Sequence, residues 1–212
     1  MEFDDLLAQV KDLPLFSSNL LQAGDTLPAQ VHKQLSRWVN SGKVLQLRRG
    51  LYSLAEPYRK ERPHPFTIAN QLLAPSYISL QSALSYYDLI PEAVPHVTSI
   101  TSRKRTQTVT TPFGQHSYRS LQPDLFTGFR LVEISPTQPV FMARPEKALL
   151  DLVYLTPQGD QPVFLKSLRM QNMDLLDLEW MQDFAVEISK PKLIRAVDNI
   201  AKIASEERYQ TL

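Results

Sequence analysis

The chain has no cysteine. That excludes disulfides, thiolate zinc sites and a cysteine nucleophile, and it fits a reducing cytosol. Glycine is scarce: there are six among 212 residues. Gly24, Gly42, Gly50, Gly114, Gly128 and Gly159 are too scattered to build a GxGxxG or a P-loop, so neither common nucleotide cradle is expected. No serine stands in GxSxG. His32, His64, His96 and His116 form no HxxxH or HxE pairing, so no metal site is expected. No apolar run approaches the length of a membrane span. The opening MEFDDLLAQV is acidic and amphipathic, unlike a signal or transit peptide. A cytoplasmic protein without cofactor or membrane partner is the expectation.

At 43% hydrophobic and 21% charged, the chain has enough length for one large or two small domains with a real core. Its formal net charge is only +1, and this hides an asymmetry. Residues 27–62 hold eight bases (33, 37, 43, 48, 49, 59, 60 and 62) against Glu56 and Glu61, a net of +6. Residues 131–212 hold twelve acids and nine bases, a net of −3. A basic front is the electrostatic footprint of phosphate binding, and a mildly acidic back suggests a different partner.

The basic front is organised by TLPAQVHKQLSRWVNSGKVLQLRRGLYSL, residues 26–54. Thr26 suits a helix cap and Pro28 a first turn. Leu27, Val31, Leu35, Trp38 and Val39 recur at steps of three and four, which predicts one buried stripe. Ala29, Gln30, Lys33, Gln34 and Arg37 fall on the other face, and Gly42 is placed to end the helix. The period then changes to two, with Leu45 and Leu47 alternating with Gln46 and Arg48. Gly50 supplies the positive φ of a tight hairpin turn before the return strand Leu51–Leu54. A polar, basic helix followed by an arginine-tipped hairpin is the second half of a winged helix-turn-helix. The helix is sized for the major groove, and the wing can reach phosphates or the minor groove. The competing reading is the same fold used only for protein contacts.

Upstream, Phe3 to Leu13 reads as a helix with Phe3, Leu6, Leu7 and Val10 inward. Phe16 to Ala23 reads as a second helix with Leu20 and Leu21 inward, and Gly24-Asp25 as the turn after it. Residues 1–55 thus form the DNA-binding module. Residues 56–65, rich in proline and charge, read as a solvated linker. Residues 66–212 form a second domain. It has helices near 67–73 and 80–90, then strands near 96–101, 106–111, 115–121, 129–134 and 140–143, with a further short one at 77–79. Helices follow from Pro145, and at 161–170, 174–188 and 190–207. The fold class expected is α+β: a winged helix-turn-helix, then an α+β domain with a small mixed or antiparallel sheet.

A second basic cluster stands in this domain. Residues 99–119 contain Arg103, Lys104, Arg105 and Arg119 and no acid. It is either a further contact to DNA or to an acidic or RNA-bound partner, or a charged turn that protects an edge strand. In Glu146-Lys147 the glutamate reads as a helix-start carboxylate favouring the dipole, and Asp151 reads as a solvated or capping helix residue. Tyr86, Tyr87 and Trp180 sit at core spacing and read as packing.

Four segments taken together resemble one family: SGKVLQLRRGLYSL, PSYISLQSALSYYDLIPE, VTSITSRKR and ARPEKALLDLVYL. In order and spacing, from about residue 5 to 156, the chain resembles the AbiEi antitoxins, the antitoxin halves of bacterial type IV (abortive-infection) toxin–antitoxin pairs. The resemblance implies a non-enzymatic repressor whose winged helix binds inverted repeats in its own promoter. It also implies a C-terminal domain that opposes a nucleotidyltransferase-like toxin. The matching positions are Gln30, Lys33, Gln34 and Arg37 on the recognition helix, and Arg48, Arg49, Gly50 and Tyr52 in the wing. Lys43, just before the wing, joins these as a candidate contact to double-stranded DNA. The alternative is a transcriptional regulator with a sensing or protein-binding second domain and no toxin partner. A metal-dependent nuclease would need an acid cluster that the sequence does not display.

Overall fold

The computed structural model describes residues 2–22 and 28–210. The expected cap at Thr26, the apolar contact of Leu27 and the Gly24-Asp25 turn lie outside the described residues. The fold is mixed α+β, and the chain forms two compact units. One comprises Met1–Ala74, Thr108–His116 and Val132–Val140; the other comprises Pro75–Gln107, Ser117–Leu131 and Phe141–Leu212.

The first unit opens with α1 (Phe3–Val10), β1 (Phe16–Ser17) and a 3-10 turn at Ser18–Gln22. There follow α2 (Pro28–Asn40), the hairpin β2 (Val44–Arg48) and β3 (Leu51–Leu54), and α3 (Pro65–Leu72). The sheet order is β1-β3-β2, antiparallel throughout. The second helix expected at 16–23 is therefore replaced by a strand and a 3-10 turn. Phe16 pairs with Tyr52 and Ser17 with Leu51, so the ladder claims their backbone. Leu21 is buried, but Leu20 is 44% exposed, contrary to expectation. At three residues per turn, consecutive side chains diverge by about 120° and cannot both face inward. The core gathers Leu6, Val10, Phe16, Leu21, Val31, Leu35, Trp38, Val44, Tyr52 and Leu54.

This unit runs past the expected boundary, because residues 56–65 are not a free linker. The Glu61 carboxylate accepts from the hydroxyls of Ser135 (2.7 Å) and Thr137 and from the Gln138 amide (2.6 Å). Gln138 Oε1 in turn accepts from the His64 backbone N–H at 2.6 Å. These bonds, Thr137's foremost, hold the Glu61 carboxyl below its ordinary range. Pro63 is buried.

The remaining elements are β4 (Ser76–Ile78), α4 (Leu80–Tyr86), β5 (Val97–Thr101), β6 (Gln107–Thr111), β7 (Gly114–Ser120), β8 (Phe129–Glu133) and β9 (Pro139–Ala143). Four helices close the chain: α5 (Pro145–Leu155), α6 (Pro162–Ser167), α7 (Leu178–Ile188) and α8 (Pro191–Gln210). The strands form one mixed sheet in the order β6-β7-β5-β4-β9-β8, with β4 antiparallel to β5 and parallel to β9. Helix α4 ends earlier than the pattern predicted, where Asp88 takes a positive φ of 56°. Helix α5 packs on α4, α7 and α8, and every residue from Glu146 to Val153 is buried. Among the described residues, no helix is long and apolar enough to cross a membrane.

Candidate nucleic-acid interface

Helix α2 has the two faces that its sequence predicts. Val31, Leu35 and Trp38 are buried. Gln30, Lys33 and Arg37 are exposed, and Gln34 is half-buried. At 1.5 Å per residue, Gln30 to Arg37 spans about 10 Å, roughly three base-pair steps of a duplex. The helix stops in a Schellman motif. Lys43 N–H donates to Trp38 O (2.9 Å) and Gly42 N–H to Val39 O (3.0 Å) while Gly42 takes φ +71°. The turn throws the chain straight into β2.

The hairpin turns at Arg49-Gly50, with Gly50 at φ +82°. Its carbonyl accepts from Ser18 N–H at 3.0 Å, which pins the turn to the 3-10 segment. The register slips between Gln46 and Arg48, leaving Leu47 as a bulge. Arg49 is exposed. Arg48 is exposed too, but its guanidinium donates to Arg49 O and to Gln71 O in the last turn of α3, both at 3.1 Å. The Lys43 ammonium lies 4.5 Å from the centre of the Phe3 ring, a cation–π contact.

Tyr52 does not belong to this surface. It is 5% exposed and stacks on Phe16, with centroids 5.8 Å apart. β3 is the middle strand of its sheet, and all four of its residues are buried. Of the contact residues predicted in the first unit, Gln30, Lys33, Arg37, Arg48 and Arg49 are thus exposed, and Gln34 and Lys43 are half-buried. Arg103, Lys104, Arg105 and Arg119 belong to the second unit and are all exposed. Arg119 reaches the Leu155 carbonyl at the end of α5, at 3.5 Å.

Two arrangements were not read from the sequence. The first is a buried polar cluster in the second unit. Asp151, 2% exposed, accepts from Ser79 (2.8 Å), Tyr77 (2.9 Å) and the Lys147 ammonium. Lys147, fully buried, also donates to Tyr77 Oη at 3.0 Å. Burial pushes the Asp151 carboxyl above its ordinary range, against the pull of Lys147 and the two hydroxyls. Asp151 is therefore neither solvated nor a cap. Glu146, 3% exposed, accepts from Asp177 N–H (2.9 Å) and meets Arg144 (3.3 Å), so it joins α5 to the start of α7. The Lys147–Asp151 spacing of i, i+4 was the available signal; burial on every side of α5 was not. Trp180 does pack, against Phe184 and under Arg144, whereas Tyr86 is 42% exposed.

The second arrangement is a cleft of about 380 Å³ in the first unit, bounded by Glu61, Arg62, His64, Phe113, Ile134 and Gln138. The carboxylate of Glu61 and the amide of Gln138 are spent on each other and on their neighbours, as above. No group of three or more His, Asp or Glu side chains that could hold a metal occurs among the described residues. No protein-family model matches the chain, and no curated protein matches it either.

Proposed function

We propose that the first unit is a winged helix-turn-helix that binds double-stranded DNA, and that the chain is a cytoplasmic antitoxin that represses its own operon. The observation that carries the DNA reading is the outward face of α2. Gln30, Lys33 and Arg37 stand on one exposed face, and a rigidly tied arginine hairpin follows directly. The element order around the β1-β3-β2 sheet supports the same module, with the 3-10 turn in place of a second helix. Lys33 and Arg37 approach base edges, Gln30 and Gln34 pair with adenine, and Arg49 holds phosphate. Arg48 adds charge while bracing α3. The resemblance of four ordered segments to the AbiEi antitoxins supports the finer reading: inverted repeats in the chain's own promoter, bound by two copies, and a nucleotidyltransferase-like toxin opposed by the second unit.

The test is a gel shift of the full chain on the DNA upstream of its own gene, against a scrambled duplex, with Lys33→Ala/Arg37→Ala beside the parent. The parent should prefer its own DNA and the variant should lose that preference. Equal binding of both proteins to both duplexes would sink the reading. Co-expression with the neighbouring gene product should relieve growth arrest if the antitoxin half holds.

A further inference from the structure

The cluster at Arg103, Lys104, Arg105 and Arg119 is not used by the interface described above. The sequence around it has an unusual charge balance: from residue 93 to residue 123 there are four bases and no acid, in a chain with 22 acids. The sheet brings these four bases to one corner. Leu121 N–H donates to Thr101 O (3.1 Å), so the end of β7 lies beside the end of β5. Ser120 N–H meets Thr106 Oγ1 (3.5 Å), so the approach to β6 lies there as well. Arg119 and the 103–105 turn therefore share one end of the β5-β7-β6 edge.

The turn is also held in shape. Thr101 Oγ1 donates to Pro75 O (2.8 Å) and accepts from Arg103 N–H (3.2 Å). A preformed loop that presents adjacent exposed cations has less ordering entropy to lose on meeting a polyanion. Edge protection alone would be served by a single lysine; three successive cations with a fourth beside them exceed it.

We infer that this corner is a second phosphate-binding surface for duplex DNA, separate from α2 and its hairpin. The identity of the polyanion as DNA rests on the proposed function. Lys104 and Arg105 are its principal contacts, and Arg103 and Arg119 extend its field. The surface reads no bases, because an exposed turn of Arg-Lys-Arg offers charge without a fixed face for a groove.

The experiment is the salt dependence of DNA affinity for the full chain. It uses a 40-base-pair duplex carrying the upstream sequence and a scrambled duplex of equal length. Lys104→Gln/Arg105→Gln is compared with the parent and with Lys33→Ala/Arg37→Ala. Each phosphate contact contributes about 0.9 to the slope of log K against log salt. The corner variant should therefore lose about 1.8, which narrows the affinity change between 50 and 200 mM salt about 12-fold. Its preference for the upstream sequence should not change. An unchanged slope with retained sequence preference overturns this inference and leaves the proposed function standing. An unchanged slope with new self-association marks the corner as edge protection only. A full corner effect with no effect of the α2 variant would sink the α2 reading and keep this one. Absence of DNA binding by the parent sinks both.

Discussion

Replacing Lys147 with methionine tests the buried cluster most sharply. Methionine keeps much of the length of the side chain and removes the ammonium. Asp151 then retains only the Tyr77 and Ser79 hydroxyls, in a site where it is 2% exposed. Breaking one side of a buried pair costs about 3–5 kcal/mol. The carboxyl has an escape, which is to take up a proton. From an ordinary value of 3.8, protonation at pH 7 costs about 4.4 kcal/mol at 1.36 per unit. That caps the penalty, so the expected loss is about 3–4 kcal/mol. The pH dependence then has a definite sign. In the variant, the folded chain keeps a proton that the unfolded chain releases above 3.8. Stability should therefore rise as pH falls from 7 towards 4, by up to about 1.4 kcal/mol per unit. Lys147→Met/Asp151→Asn removes both charges and keeps an acceptor for the hydroxyls, so it should recover most of the loss. Urea unfolding followed by Trp180 fluorescence, in a Trp38→Phe background, reports on this unit, because Trp180 stacks on Phe184. A single-variant loss under about 1 kcal/mol, or a double variant no better than the single, would refute the reasoning.

Four further outcomes are expected. Arg49→Ala should lower the salt slope of DNA binding by about 0.9 with sequence preference intact. Arg48→Ala should lower it less and also destabilise the first unit, since it loses the bond to Gln71 O; salt titrations and thermal melts separate the two. Tyr52→Ala should cost about 3–5 kcal/mol of stability rather than a phosphate contact, which urea unfolding beside a salt titration will show. His116 is fully buried and burial pushes its pKa down from 6.5 to about 4. The unfolded chain takes up this proton first, so stability should fall as pH drops from 6.5 towards 4, by about 3 kcal/mol in all. His116→Phe should lack that component in a pH series of urea midpoints.

Periodicity made much of the fold legible. The 3.6-residue stripe of Val31, Leu35 and Trp38, the stop at Gly42 and the turn at Gly50 are local matters, decided within a few residues by backbone sterics and side-chain pattern. The strands and helices after residue 75 could be placed for the same reason. The misreadings share a different cause. Phe16-Ser17 joined a ladder whose partner strand lies some 35 residues on, and no local pattern announces that. Tyr52 alternates like a surface residue, but its strand is flanked on both sides. Residues 56–65 have the composition of a linker, yet Glu61 finds its partners 74 to 77 positions away.

The sequence by itself determined the separation of charge, the absence of cysteine chemistry and the two faces of α2, because each depends only on residue identity and short-range spacing. Tertiary structure alone decided which charges stay in water. Lys147 and Asp151 sit on a helix enclosed by three others and compensate each other there, whereas Arg49 and Lys104 stay exposed on turns. Desolvation depends on what folds over a residue from afar, so the same residue types became a buried brace in one place and an exposed charge in another.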